Sequence, residues 1–243
     1  MRRAVGILVL GIGLCWAVPV SAQISAATHL VALHDATDLS SYATASITPT
    51  GDRLVMAFFF STVASGTPNT PTATGNGITW TAAGTFTSGT RRITLLCGST
   101  ASPSAGSITF DLASQTQTNG AWSVFELTGA STAASCAGVI QTQGNTGTGT
   151  PASVTLAAFG SASNGTVSAV FNTGGALVTP GTGFTEINDT STGIGKQTQW
   201  RADNDTSVDA TIASSQEWFM LGAEVAPPSE SSAGYKCLLL GIC

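Results

Sequence analysis

The stretch "LVMAFFFST" (54–62) constrains the fold more than any other part of the chain. Side chains of a β-strand alternate between two faces. Leu54, Met56, Phe58 and Phe60 therefore share one face, and Val55, Ala57 and Phe59 share the other. A strand apolar on both faces has to lie inside a sheet with material packed on each side. "EWFMLGAEV" (217–225) has the same character and reads as its counterpart late in the chain.

No segment after the first two dozen residues shows a helical period. Short β-branched and aromatic runs alternate instead with Gly, Pro, Asn and Ser punctuation, which is the pattern of an all-β chain. "GSITFDLAS" puts Ile108, Phe110 and Leu112 on one side, and "GTVSAVFNTG" does the same with Val167, Ala169 and Phe171. "TSVDATIASS" repeats the pattern with Val208, Ala210 and Ile212, so each of the three predicts a strand with one wet face. Counting such runs gives about 12–14 strands, which favours two stacked antiparallel sheets over a small barrel. Segments 64–77, 99–106 and 144–153 are rich in Gly, Pro and hydroxyl residues and read as loops.

The first residues carry a basic start (Arg2, Arg3), an apolar stretch from Ala4 to Val18, and Val20-Ser21-Ala22. These are the three parts of a signal peptide, with cleavage expected after Ala22. The predicted organisation is a signal peptide over 1–22, one sandwich domain over 23–225, and a linker with a short apolar tail over 226–243. That tail, "YKCLLLGIC", is too short to span a bilayer, so no membrane span is expected. It could serve as an edge strand or join neighbouring molecules into an oligomer.

Removing the leader leaves six basic against thirteen acidic side chains, a balance that does not attract nucleic acid. Ser and Thr make up roughly a quarter of the chain, so hydration falls to hydroxyls and amides. Four cysteines remain, Cys97, Cys136, Cys237 and Cys243, and an oxidising compartment allows three pairings among them. Cys97 and Cys136 both lie in the body of the domain and form the expected disulfide. Cys237 and Cys243 sit in the tail.

The succession "SITPTGDRLVMAFFF", "GITW", "GSITFDL", "GAWSVFELTGA", "VTLAAFGSASNG", "TPGTGFTEI" and "FMLGAEV" resembles a jelly-roll or concanavalin-like β-sandwich type. That type occurs in exported bacterial proteins and in phage virion proteins, often beside carbohydrate-binding or fibronectin-like modules. The resemblance implies a sandwich and brings no catalytic residue with it.

Glu126 and Glu224 each follow a tryptophan in an apolar run, which raises glycoside hydrolysis by paired carboxylates. Retention needs two carboxyl groups about 5 Å apart, and inversion about 6.5–9.5 Å. Sandwich glycosidases carry both acids on one strand in an E-x-D-x-x-E arrangement, which is absent here. The expectation is therefore that each glutamate is held by a backbone amide, a hydroxyl or an arginine. Trp80 and Trp200, the latter beside Arg201, are the candidates for stacking a sugar. Asp203, Asp205 and Asp209 have odd spacing, so an extended chain would aim three hard oxygen ligands one way and suit calcium. His29 and His34, five apart in the first strand, should fall on opposite faces. The expected function is a non-catalytic exported surface or structural module that binds glycans or a protein partner. A virion structural protein and a glycan-active hydrolase are the rivals.

Overall fold

A computed structural model describes residues 23–229; the expected signal peptide and the tail with Cys237 and Cys243 lie outside the described residues. Fourteen strands and one 3-10 turn (Ala134–Cys136) form the regular structure described. Five strands make the first sheet, in the order β1 (Ala26–Asp35), β8 (Asn119–Thr128), β3 (Leu54–Thr62), β6 (Arg91–Gly98) and β5 (Thr81–Ser88). In the second sheet β14 (Ser207–Val225) pairs with β9 (Val139–Thr155) along one edge. Its other edge pairs with β10 (Gly165–Asn172) and β11 (Val178–Pro180). Beyond β10 come β13 (Gly195–Arg201) and β12 (Thr185–Thr190). A small third sheet joins β2 (Ser41–Ala43), β7 (Thr109–Asp111) and β4 (Thr72–Thr74). Every pairing is antiparallel, so the chain is an all-β sandwich.

The doubly apolar β3 occupies the middle of the first sheet, with all nine residues buried. Leu54, Met56, Phe58 and Phe60 enter the core between the two large sheets, where Phe60 stacks on Phe171 of β10 at 5.2 Å. Val55, Ala57 and Phe59 enter a second core under the small sheet, where Phe59 meets Phe110 of β7 at 4.6 Å. Burying a phenylalanine fully contributes about 1.5–3 kcal/mol, so three on one strand anchor the two layers together. The small sheet is the added layer that this pattern demanded.

The late counterpart behaves alike. Phe219, Leu221 and Ala223 of β14 face the first sheet, while Trp218 and Met220 face outward into a third core. That core exists because the β9–β14 ribbon turns back on itself. The ladder breaks between Thr211 and Gln216, and Val154, Val208 and Ile212 then pack on Val170, Met220 and Trp218. This cover changes β10, which the alternation predicted to have one wet face. All eight of its residues are buried.

Two further expectations are overturned. Segment 144–153, read as a loop, lies within β9. Two of its glycines mark close approaches rather than turns: a Cβ on Gly147 would sit 2.7 Å from the Trp218 ring, and one on Gly144 would sit 2.2 Å from Phe86. The histidines do not fall on opposite faces either. A bulge between His29 and Val31 inverts the alternation, so His29 lies opposite Phe125 and His34 opposite Ala121, both on the inner face.

Cys97 and Cys136 form a disulfide that joins the end of β6 to the 3-10 turn across 39 residues. No helix among the described residues is long and apolar enough to cross a membrane. β14 ends at Val225, and Ala226 is pinned by backbone hydrogen bonds to Ser131 and Gly138.

Candidate functional site

Glu126 is buried, on the face of β8 that looks toward the small sheet, together with Trp122 and Val124. Its carboxylate accepts the Thr50 backbone N–H at 2.8 Å and the Thr50 hydroxyl at 2.7 Å. It therefore fastens the loop that leads into β3. Glu224 lies on the outward face of the second sheet, 1 % exposed, and accepts hydrogen bonds from the Gln141 amide at 2.6 Å and from the Asn164 amide.

The two carboxylates thus point away from one another on opposite sides of the inter-sheet core. Stacked sheets lie about 10 Å apart, so their separation exceeds the ranges for retention and inversion. Glu217 is on the inner face but at the other end of the sandwich, where it pairs with Arg91 at 2.7 Å. Arg91 lies in the row of Asn119, and Glu126 is seven residue steps along β8 from Asn119, about 23 Å of strand. None of these glutamates forms a hydrolytic pair with another.

The three aspartates are not gathered on one side of an extended chain. Residues 202–206 turn rather than extend, which removes the premise that three carboxylates share a side. Asp203 accepts from Arg201 Nε at 2.6 Å and from Nη2 at 2.9 Å, and Asp205 accepts from Arg201 Nη1. Hydrogen bonds from this guanidinium hold the Asp203 carboxyl below the usual carboxylate range. Asp209 stands apart, its carboxylate beside Gly181. No group of three His, Cys, Asp or Glu side chains close enough to share a metal is present among the described residues. The cation between these carboxylates is Arg201 itself, whose guanidinium also lies over the Phe184 ring at 5.4 Å.

The two tryptophans nominated for sugar stacking are not brought together. Trp80 is half-buried on the core under the small sheet, its indole N–H donating to the Gly75 carbonyl at 3.3 Å. Trp200 is half-buried on the inter-sheet core, one layer away. Trp122 and Trp218 are core residues, as the apolar runs around them implied.

Sequence reasoning missed the buried polar strand β13. Lys196, Gln197, Thr198 and Gln199 are all within 1 % of full burial. Gln199 accepts from the Gly181 N–H at 3.0 Å and donates to the Asp209 carbonyl at 2.9 Å, tying the sheet to its outer cover. On the other face Thr198 shares a hydrogen bond of 2.9 Å with Ser123 of β8, across the sandwich. Burial pushes the Lys196 ammonium down to about 8, and burial and then the nearby Lys196 charge lower His34. Nothing in the polar run "GKQTQW" announces burial; only the neighbouring layers decide it.

One concavity stands out. A groove of 570 Å³ runs between the 3-10 turn, the loop before β10 and residues 226–229. Ser131, Ala133, Ser161, Asn164, Pro227 and Pro228 are among its walls. Asn164 donates its side-chain N–H to buried Glu224 and so links that carboxylate to the groove. Compared with family models, with curated proteins and with solved structures, the chain matches none.

Proposed function

We propose that this chain is an exported, non-catalytic β-sandwich module that presents a binding surface, with glycans as the ligands its surface chemistry suits. One observation carries the non-catalytic part. Each carboxylate that sequence reasoning nominated as a catalytic acid is engaged in holding the fold: Glu126 on Thr50, Glu224 on Gln141 and Asn164. A general acid or nucleophile has to face substrate and change its protonation or bonding during turnover. A carboxylate fixed between amides serves better as an anchor. The disulfide supports the exported part, because such bonds persist in oxidising compartments. The hydroxyl- and amide-rich, charge-poor surface supports glycans over ionic partners.

The test is a glycan-array screen of the mature chain followed by a reducing-sugar assay on each glycan retained. Binding without release of reducing ends is the expected outcome, with Glu126→Gln binding as the parent does. Release that disappears in Glu126→Gln or Glu224→Gln would overturn the reading.

A further inference from the structure

We propose that the groove between the 3-10 turn, residues 161–164 and residues 226–229 is the glycan subsite, and that Glu224 is its positioning residue. This rests on the glycan reading above and names the place where it is realised.

The chemistry of the walls selects the ligand class. Ser131 and Ser161 each accept a backbone N–H through the hydroxyl oxygen, from Ala133 at 3.4 Å and from Ser163 at 3.2 Å. A hydroxyl that accepts in this way is oriented and keeps its own proton to donate. Asn164, 7 % exposed, donates its amide N–H to Glu224 and so leaves its carbonyl oxygen to accept from the groove. The groove therefore offers donors and an acceptor side by side, with no ionised group among its described lining residues. A sugar hydroxyl both donates and accepts, and it needs this mixture. An ionic ligand would meet no countercharge among the described walls, and an apolar one would strand the Ser131 and Ser161 hydroxyls. Ala133, Pro227 and Pro228 add small apolar walls against which the C–H face of a ring can lie. A volume of 570 Å³ falls within the usual range for small-ligand sites.

Glu224 acts one layer behind. It is almost wholly buried and takes one amide on each side, Gln141 and Asn164. Since a carboxylate only accepts, it forces the Asn164 N–H inward and the carbonyl outward. A glutamine at 224 would allow the Asn164 amide to turn over and present N–H to the groove instead.

The experiment uses the full mature chain and a panel of methyl glycosides of the common hexoses, titrated by NMR with the Asn164 side-chain amide signals as reporter. The binding glycosides should shift those two signals in the parent. Asn164→Ala and Glu224→Gln should each weaken binding about tenfold, the scale of one hydrogen bond. Ala133→Trp, an exposed wall position away from Glu224, should abolish it by filling the groove. If Glu224→Gln fails to fold, Ala133→Trp decides alone. Parent binding that Ala133→Trp leaves unchanged would overturn the subsite while leaving the glycan reading intact. A parent that binds none of the glycosides and retains nothing on the array would overturn both.

Discussion

Replacing Glu126 with glutamine and with alanine separates what its charge does from what its shape does. The parent carboxylate receives two hydrogen bonds from Thr50, one from the backbone N–H at 2.8 Å and one from the hydroxyl at 2.7 Å. Glutamine keeps the shape. Its carbonyl oxygen accepts the Thr50 N–H, and the Thr50 hydroxyl rotates to accept from the new amide. The loss is the difference between charge-assisted and neutral hydrogen bonds, about 1 kcal/mol. Alanine removes both acceptors and leaves a gap beside Trp122 and Val124, for about 2–4 kcal/mol. At this chain length 1 kcal/mol moves the melting temperature by about 2–4 °C. Urea unfolding of the parent and both variants, with Thr50→Val added to form a double-mutant cycle, gives the comparison. The hydroxyl bond should appear as a coupling of about 1 kcal/mol between Glu126 and Thr50. Glutamine costing as much as alanine, or a coupling indistinguishable from zero, would refute the anchoring role.

Three other outcomes follow from the packing. Lys196→Met should stabilise the fold by about 1–3 kcal/mol, since an apolar chain of similar length replaces a buried cation. Because the folded Lys196 titrates near 8 against an ordinary 10.5, the unfolded chain binds more protons between those values, and parent stability should rise with pH across that window; the variant should lose this slope in pH-dependent melts. Gly147→Ala should cost about 1–3 kcal/mol in chemical denaturation, as its Cβ would stand 2.7 Å from the Trp218 ring, and an unchanged midpoint would mean that β9 does not lie against that ring. Converting Cys97 and Cys136 to serine should lower stability by about 4 kcal/mol for a loop of 39 residues, and non-reducing peptide mapping of the parent should find the two linked.

What the sequence made legible was whatever depended on alternation within one strand. The double-faced apolar pattern of 54–62 placed β3 at the centre of a sheet with cores on both sides, and the run 217–225 placed its partner. The disulfide was legible because only two cysteines lay in the body of the domain. What failed depended on neighbours far away in the chain. Gly144 and Gly147 looked like turn residues, yet the rings of Phe86 and Trp218 require bare backbone there. The bulge after His29 leaves no mark in a residue pattern, and it reversed the faces of every inner residue before it. Lys196 and the glutamines of β13 read as surface because polarity is local, while the ribbon that covers the glutamines comes from residues 139–155 and 207–225, and Lys196 is covered on the inner face by the first sheet. Asn164 is a similar case: its importance comes from Glu224, sixty residues later in the chain.

The long pairing of β9 with β14 also sets the order in which this molecule can become itself. Val139 meets Val225 and Thr155 meets Ser207, so the ladder closes around all of β10 to β13. β14 is at once the partner of β9, β10 and β11, which leaves the second sheet incomplete until the last of its strands has left the ribosome. A chain halted between residues 128 and 207 has the first sheet's strands complete but exposes the face that holds Phe58, Phe60 and Phe125. Such non-local closure belongs to the slow end of the folding scale, where formation takes milliseconds to seconds. The nascent protein therefore passes through an adhesive, half-built state whose length is fixed by when β14 arrives, and whatever handles the chain in that interval has to keep its first half from finding another copy.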